Sequence, residues 1–198
     1  MSASVAALVV HDLKNELGAL EGALERLALQ PDVGAAQLAH RQCRALREHL
    51  VMYLAVYGAD GAMSAVPDDE SPRALLEAIV AKRADTGGPR LQVLDHADTP
   101  PFWYFDRRLV TLALEAALHN ATRFARSLVV LSARAEAGQL VLVVDDDGPG
   151  LDAEHSAGDF NTGLGTTLCQ AVAQAHGGRV ALFNRPEGGA RFELWLAP

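Results

Sequence analysis

Apolar residues at Val10, Leu13, Leu17, Leu20, Leu24 and Leu27 alternate in steps of three and four, the spacing that lines one stripe along a helix. The first helix is therefore expected to run to about Gln30. Pro31, Asp32 and Gly34 then supply a stop and a tight turn, after which Ala39, Cys43, Leu46, Leu50, Tyr53 and Tyr57 resume the same alternation. Two helices of this length expose a stripe that one hairpin cannot cover. The pattern thus predicts two hairpins associating as a dimeric four-helix bundle, which makes the chain a homodimer.

Gly58 to Pro72 is rich in Gly, Ala, Asp and Pro and breaks the heptad, so it reads as a linker between a domain over 1–60 and another over 71–198. In the second domain Ser71-Pro72 opens a helix bearing Leu75, Leu76, Ile79 and Val80, and strands are expected at Leu91 to Leu94 and around Phe102 to Tyr104. A long helix should follow over about Arg107 to Phe124. Leu128 to Ala133 and Leu140 to Val144, separated by Glu136-Ala137-Gly138, look like a hairpin. Leu164 to His176 reads as a helix closed by Gly177-Gly178, and Val180 to Phe183 and Phe192 to Leu196 as two last strands around Gly188-Gly189. The fold class expected is α+β.

Composition narrows the partners. A chain of 198 residues with 49% hydrophobic and 21% charged residues is ordinary for a soluble globular protein that folds without metal or disulfide help. Its net charge of -8 argues against nucleic acid and against an anionic membrane surface. Cys43 and Cys169 form no CxxC pair and share no ligand spacing with His, so neither a disulfide framework nor a zinc site is expected, and a reducing cytoplasm fits best. The apolar stretch Val5 to Val10 is too short for a bilayer and lacks the flanks of a signal peptide.

Four short stretches carry candidate chemistry. In His11-Asp12-Leu13-Lys14-Asn15 the His falls between two stripe positions and so points outward, with Asn15 one turn on along the same face. An exposed imidazole is a usable nucleophile. Asp12 can fix its tautomer or take the departing proton, Lys14 can steady a phosphoryl group, and Asn15 can position a water for the reverse reaction. Equally, an exposed helical His can be a solvated surface residue. Late on the long helix, Asn120 can ligate Mg²⁺ through its amide oxygen, and Arg123 is placed to meet phosphate charge. Asp146 ends an apolar strand, where a buried carboxylate can accept from an adenine amino group, and Gly148 and Gly150 let the backbone turn closely around a ligand. A strand-ending turn also favours Asp, Gly and Pro for purely structural reasons. Finally, Gly163-Leu164-Gly165 precedes a helix whose first turn holds Thr166 and Thr167, so amides and hydroxyls would face a triphosphate at a positive helix end.

The order of these stretches resembles bacterial two-component histidine kinases over nearly the whole chain. About Ser4 to Gly58 look like a dimerisation and histidine-phosphotransfer domain. About Ser71 to Pro198 look like the α/β-sandwich, Bergerat-type ATP-binding domain shared by histidine kinases, gyrase, Hsp90 and MutL. The resemblance implies His11 as phosphoacceptor, Asp12 as general base, Asn15 as the phosphatase-side amide and Asn120 as the Mg²⁺ ligand. Asp146 would contact adenine, Gly148, Gly150, Gly163 and Gly165 would be loop hinges, and Gly189 and Phe192 fit the closing strand motif. It implies ATP and Mg²⁺ as cofactors and a response-regulator receiver as partner; with no sensor segment preceding His11, signal input is expected from a separate protein. Glu16 departs from the pattern, standing where many members carry Pro, and only about a dozen residues separate Gly150 from Gly163. The expected activity is autophosphorylation of His11 from ATP and transfer to a regulator aspartate. A phosphotransferase relaying between receivers through His11, with a vestigial ATP site, is the alternative. A gyrase-like hydrolase would need Glu four residues before Asn120, where Ala116 stands.

Overall fold

The structure, a computed structural model, describes residues 2–29, 31–40, 42–43, 46, 50, 64–83, 88–151 and 164–198. It divides into two compact units, Met1–Ala62 and Met63–Pro198. In the first, α1 spans Ser2–Leu29. A second helical stretch, α2, covers 33–40, with 42–43, 46 and 50 also helical. Asp32 starts it, as its Oδ1 accepts the Ala35 amide at 2.8 Å and its carbonyl the Ala36 amide at 3.1 Å. Ala23 and Ala39 are buried, whereas Leu17 (47%), Leu24 (49%) and Leu50 (42%) keep much of their surface exposed within the single chain. The side chains of Val10, Leu13, Tyr53 and Tyr57 lie outside the described residues.

The second unit begins with a strand that the sequence did not announce. β1 (Asp68–Glu70) falls in the stretch read as linker and pairs antiparallel with β3 (Trp103–Phe105). Three consecutive acidic residues carry no alternation of apolar and polar positions. The strand exists because β3 offers it a partner and because Glu70 receives the Arg107 guanidinium at 2.7 Å. α3 (Pro72–Arg83) follows, then β2 (Arg90–Leu94), α4 (Arg107–Phe124), β4 (Leu128–Glu136), β5 (Gln139–Asp146), α5 (Leu164–Ala175), β6 (Arg179–Asn184) and β7 (Ala190–Leu196).

Five of these strands form one mixed sheet in the order β2-β4-β5-β7-β6, with β2 parallel to β4 and every other pair antiparallel. The apolar run of β5 places it centrally, buried on both faces. One face presents Val129, Leu131, Ala133, Leu140, Leu142, Leu194 and Leu196. Against the sheet pack α3, α4 and α5, with α4 in the middle touching both neighbours. α4 buries Leu109, Val110, Ala113, Leu114, Ala117, Leu118 and Ala121, steps of three and four that aim one helical face at the sheet. On the opposite face Val141, Val143 and Trp195 form a small buried cluster. The Trp195 ring lies under the Arg179 guanidinium at 3.8 Å, and its indole N–H donates to Glu193.

Turns and caps follow local chemistry. The β4–β5 turn has positive φ at both Ala137 (50°) and Gly138 (75°), which matches the right-handed twist of the strands it joins. α5 ends with Gly177 in the left-handed region (φ 63°), while the Gly177 amide donates to Gln174 C=O and the Gly178 amide to Ala173 C=O. Among the described residues no helix is long and apolar enough to cross a membrane.

Candidate functional site

The end of β5 supplies the first element. Asp146 is 7% exposed, and its Oδ1 accepts the Gly148 amide at 2.8 Å and the Ala190 amide at 3.3 Å. No hydrogen bond to Oδ2 is formed among the described residues. A carboxylate buried at a strand end, with one oxygen fixed by two main-chain donors, is a preorganised acceptor. The next residue turns the other way. Asp147 accepts the Arg126 amide at 2.8 Å and both the amide (3.0 Å) and hydroxyl (2.6 Å) of Ser127. The Ser127 hydroxyl first, and these amides after it, hold the Asp147 carboxyl far below the usual carboxylate range.

The glycines of the following loop have measurable reasons. A Cβ on Gly148 would stand 2.5 Å from the Phe124 carbonyl and 2.8 Å from Asp146 Oδ1. Gly150 has φ +86°, and its missing Cβ would meet Asn184 Oδ1 at 2.6 Å. Asn184 itself accepts the Leu151 amide at 2.6 Å and donates from Nδ2 to Leu151 C=O at 3.3 Å.

α4 borders the loop along its last turns. Its C-terminal carbonyl, Phe124, abuts Gly148, and one face further back meets α5, where the Cβ position of Gly165 is 3.7 Å from Ala116 Cβ. Cys169 Sγ reaches Ala113 C=O at 3.4 Å one turn deeper. Ala116, Asn120 and Phe124 succeed one another at i, i+4 and i+8, so Asn120 lies on the face that runs from the α5 contact to the loop contact. Asn120 is exposed. Arg123 is exposed too, with its guanidinium 5.2 Å from the Phe124 ring centroid. Gly165, Thr166 and Thr167, in the first turn of α5, are partly exposed.

Asp146, Gly148, Gly150, Gly165, Thr166, Thr167, Asn120 and Arg123 therefore all belong to α4, α5, the end of β5 and the loop after it in the second unit. Gly163 lies outside the described residues. His11, Asp12 and Asn15 sit on α1 in the other unit; Asn15 is exposed, and the side chains of His11 and Asp12 lie outside the described residues.

Of the groups that hold this site in shape, the sequence marks Asp106, in the Phe105-Asp106 turn that opens the long helix, but not His176, Asn184 or Arg185. Asp106 caps α4, accepting the Leu109 amide at 3.0 Å with Oδ1 and the Val66 amide at 3.0 Å with Oδ2. Burial acts to raise its carboxyl, but the Val66 and Leu109 amides and the Arg108 guanidinium outweigh burial and keep it below the usual value. The Asp106 amide donates to Nε2 of buried His176 at 3.0 Å, and the other ring nitrogen lies 2.7 Å from Val172 C=O. These partners require the proton on Nδ1 and a neutral ring. Asn184 and Arg185 carry no local signal, because the groups they bind lie more than thirty residues earlier.

Residues 105–198 match the family described as histidine kinase-, DNA gyrase B-, and HSP90-like ATPase. The chain is 28% identical to the sensor protein KdpD of Escherichia coli strain K12, over 96% of its own length and 24% of that protein's. It is 31% identical to the ATP-binding domain of PrrB from Mycobacterium tuberculosis, covering 68% of this chain and 97% of that one with a TM-score of 0.55. The histidine kinase ThkA, solved in complex with the response regulator protein TrrA, shares the fold at 14% identity, over 98% of this chain and 60% of that one, with a TM-score of 0.73. The chain belongs to the two-component histidine kinases. It spans about a quarter of the length of curated relatives such as KdpD.

Proposed function

We propose that the chain is an ATP-dependent protein-histidine kinase that phosphorylates His11 and passes the phosphoryl group to an aspartate of a response-regulator receiver. The observation that carries this reading is the buried Asp146 carboxylate, with Oδ1 committed to two amides and Oδ2 making no hydrogen bond among the described residues, available to an adenine amino group. Support comes from the family match over 105–198 and from ThkA, a histidine kinase solved with a response regulator. Thr166, Thr167 and the main-chain amides of the first turn of α5 would face the phosphates. Asn120 would hold Mg²⁺ through its amide oxygen, and the ion would neutralise phosphate charge. Phosphate oxygens and water are the hard oxygen ligands that such an ion favours.

In the transfer, a ring nitrogen of His11 forms a bond to the γ-phosphorus as the bond to the ADP oxygen breaks, and Asp12 fixes the ring and takes its proton. Asn15 serves the reverse hydrolysis of the phosphorylated regulator. The exposed Leu17, Leu24 and Leu50 support a homodimer in which a second hairpin covers the stripe. A cytoplasmic setting completes the reading. The relay alternative gains no support, because the residues it would have lost are present.

The test is incubation of the purified chain with Mg²⁺ and γ-labelled ATP beside His11→Ala. Acid-labile, alkali-stable label that vanishes in the variant is expected. Absence of label on the wild type, with a phosphorylated receiver still charging His11, would overturn the kinase in favour of the relay.

A further inference from the structure

Two consecutive residues at the end of β6 grip the two ends of the loop 146–151. Arg185 Nη1 donates to the Asp146 carbonyl at 3.0 Å, and Asn184 makes its paired bonds to the amide and carbonyl of Leu151. Arg185 is itself held. Its amide donates to Gly189 C=O at 3.0 Å, its carbonyl accepts the Gly188 amide at 3.1 Å, and its buried Nε lies 3.7 Å from Asp145 Oδ2. Gly189 (φ +84°) has no room for a Cβ against the Asp146 backbone, so the β6–β7 turn presses directly on the strand end. The next residue, Ala190, supplies the second amide to Asp146 Oδ1.

We infer that Asn184 and Arg185 are positioning residues for nucleobase recognition: they fix the path of the loop 146–151 and so the direction in which Asp146 presents its open oxygen. The inference rests on the nucleotide-site reading above. Arg185 sets the main-chain carbonyl of the same residue whose carboxylate meets the base. Asn184 acts as a surrogate strand, satisfying both polar groups of Leu151 while Gly150 supplies the backbone conformation that brings them there. Losing either grip lets the loop relax without removing any group that touches the ligand.

The experiment measures dissociation constants of the full chain for ADP and for purine riboside 5′-diphosphate, which lacks only the exocyclic amino group. Wild type is compared with Asn184→Ala, Arg185→Met and the milder Arg185→Lys, each checked for an intact thermal transition. Both truncations are expected to weaken ADP by roughly fivefold to tenfold, the worth of one or two hydrogen bonds. For purine riboside diphosphate the loss should stay under about twofold, because the contact being positioned is already absent. Equal losses for the two nucleotides, or unchanged ADP affinity in folded variants, would overturn the inference alone. If Arg185→Met does not fold, the same comparison of the two nucleotides is made on Arg185→Lys. Failure of the wild type to bind either nucleotide would overturn the nucleotide-site reading and this inference with it.

Discussion

Replacing Asp106 with alanine should destabilise the second unit by about 2 kcal/mol. The side chain does two separate jobs at once. Its Oδ1 caps α4 through the Leu109 amide, and loss of such a cap typically costs about 1 kcal/mol. Its Oδ2 accepts the Val66 amide, and leaving that partly buried donor without an acceptor adds about 1 kcal/mol more. For a unit of this size the change corresponds to a fall in Tm of about 6–8 °C. Asp106→Asn keeps an oxygen for Leu109 but replaces the second acceptor with a donor facing a donor, so it should lie between wild type and alanine. The assay is thermal and urea unfolding of the three proteins, followed by circular dichroism. The sign of the pH effect follows from the lowered carboxyl. Its stabilisation is complete above the ordinary aspartate value near 3.9 and is lost as pH falls through the lower folded value, so the gap between wild type and alanine should close in acid. A cost under about 0.5 kcal/mol at neutral pH, or a gap that widens on acidification, would show that Asp106 does not act through these two bonds.

Burial pushes the Cys169 thiol up to about 12, so native protein at pH 8 should leave Cys169 unalkylated by iodoacetamide and gain reactivity there only on unfolding, as mass spectrometry would show. Arg191→Met removes the two 2.7 Å bonds to buried Asp145 and leaves only the more distant Arg185; a loss of about 2 kcal/mol in denaturant unfolding is expected. Ala137→Asn places a residue tolerant of positive φ at a position where alanine is strained, and should raise stability by about 0.5–1 kcal/mol in the same assay.

The elements that sequence made legible are those whose own residues carry the reason. The 3.6-residue period and the Asp106 cap delimit α4 at Arg107–Phe124, as expected, and the Gly177-Gly178 pair ends α5 within one residue of its expected close. The hairpin of β4 and β5 was legible from alternation and its turn, although both strands run two or three residues further, because each edge residue gains a ladder partner that its own chemistry does not announce. β1 is the opposite case, a polar triplet made into a strand only by β3. The site divides in the same way. Asp146, Gly148 and Gly150 stand out as candidates because a carboxylate and glycines directly after an apolar strand form a visible local pattern, though a plain turn favours the same residues. Asn184, Arg185 and His176 do not, because each acts on a main-chain group remote in sequence.

The parallel pairing of β2 with β4 implies a particular order of assembly. β4, β5, β7 and β6 are joined by antiparallel pairings, two of them between strands adjacent in the chain, and these can zip from local turns. β2 can dock on β4 only after the intervening chain, including β3 and the whole of α4, has folded back over the sheet. Asn120 rides on that returning helix. A polypeptide arrested before this step would carry Asp146 on a formed hairpin without α4 beside it, so if these elements hold nucleotide as proposed, its capture would report completed folding. Any ligand then shifts the equilibrium toward the finished state, by about 2.7 kcal/mol at a hundredfold excess over its Kd. A ligand bound in this way would also shield the finished chain from proteolysis of its unfolded state.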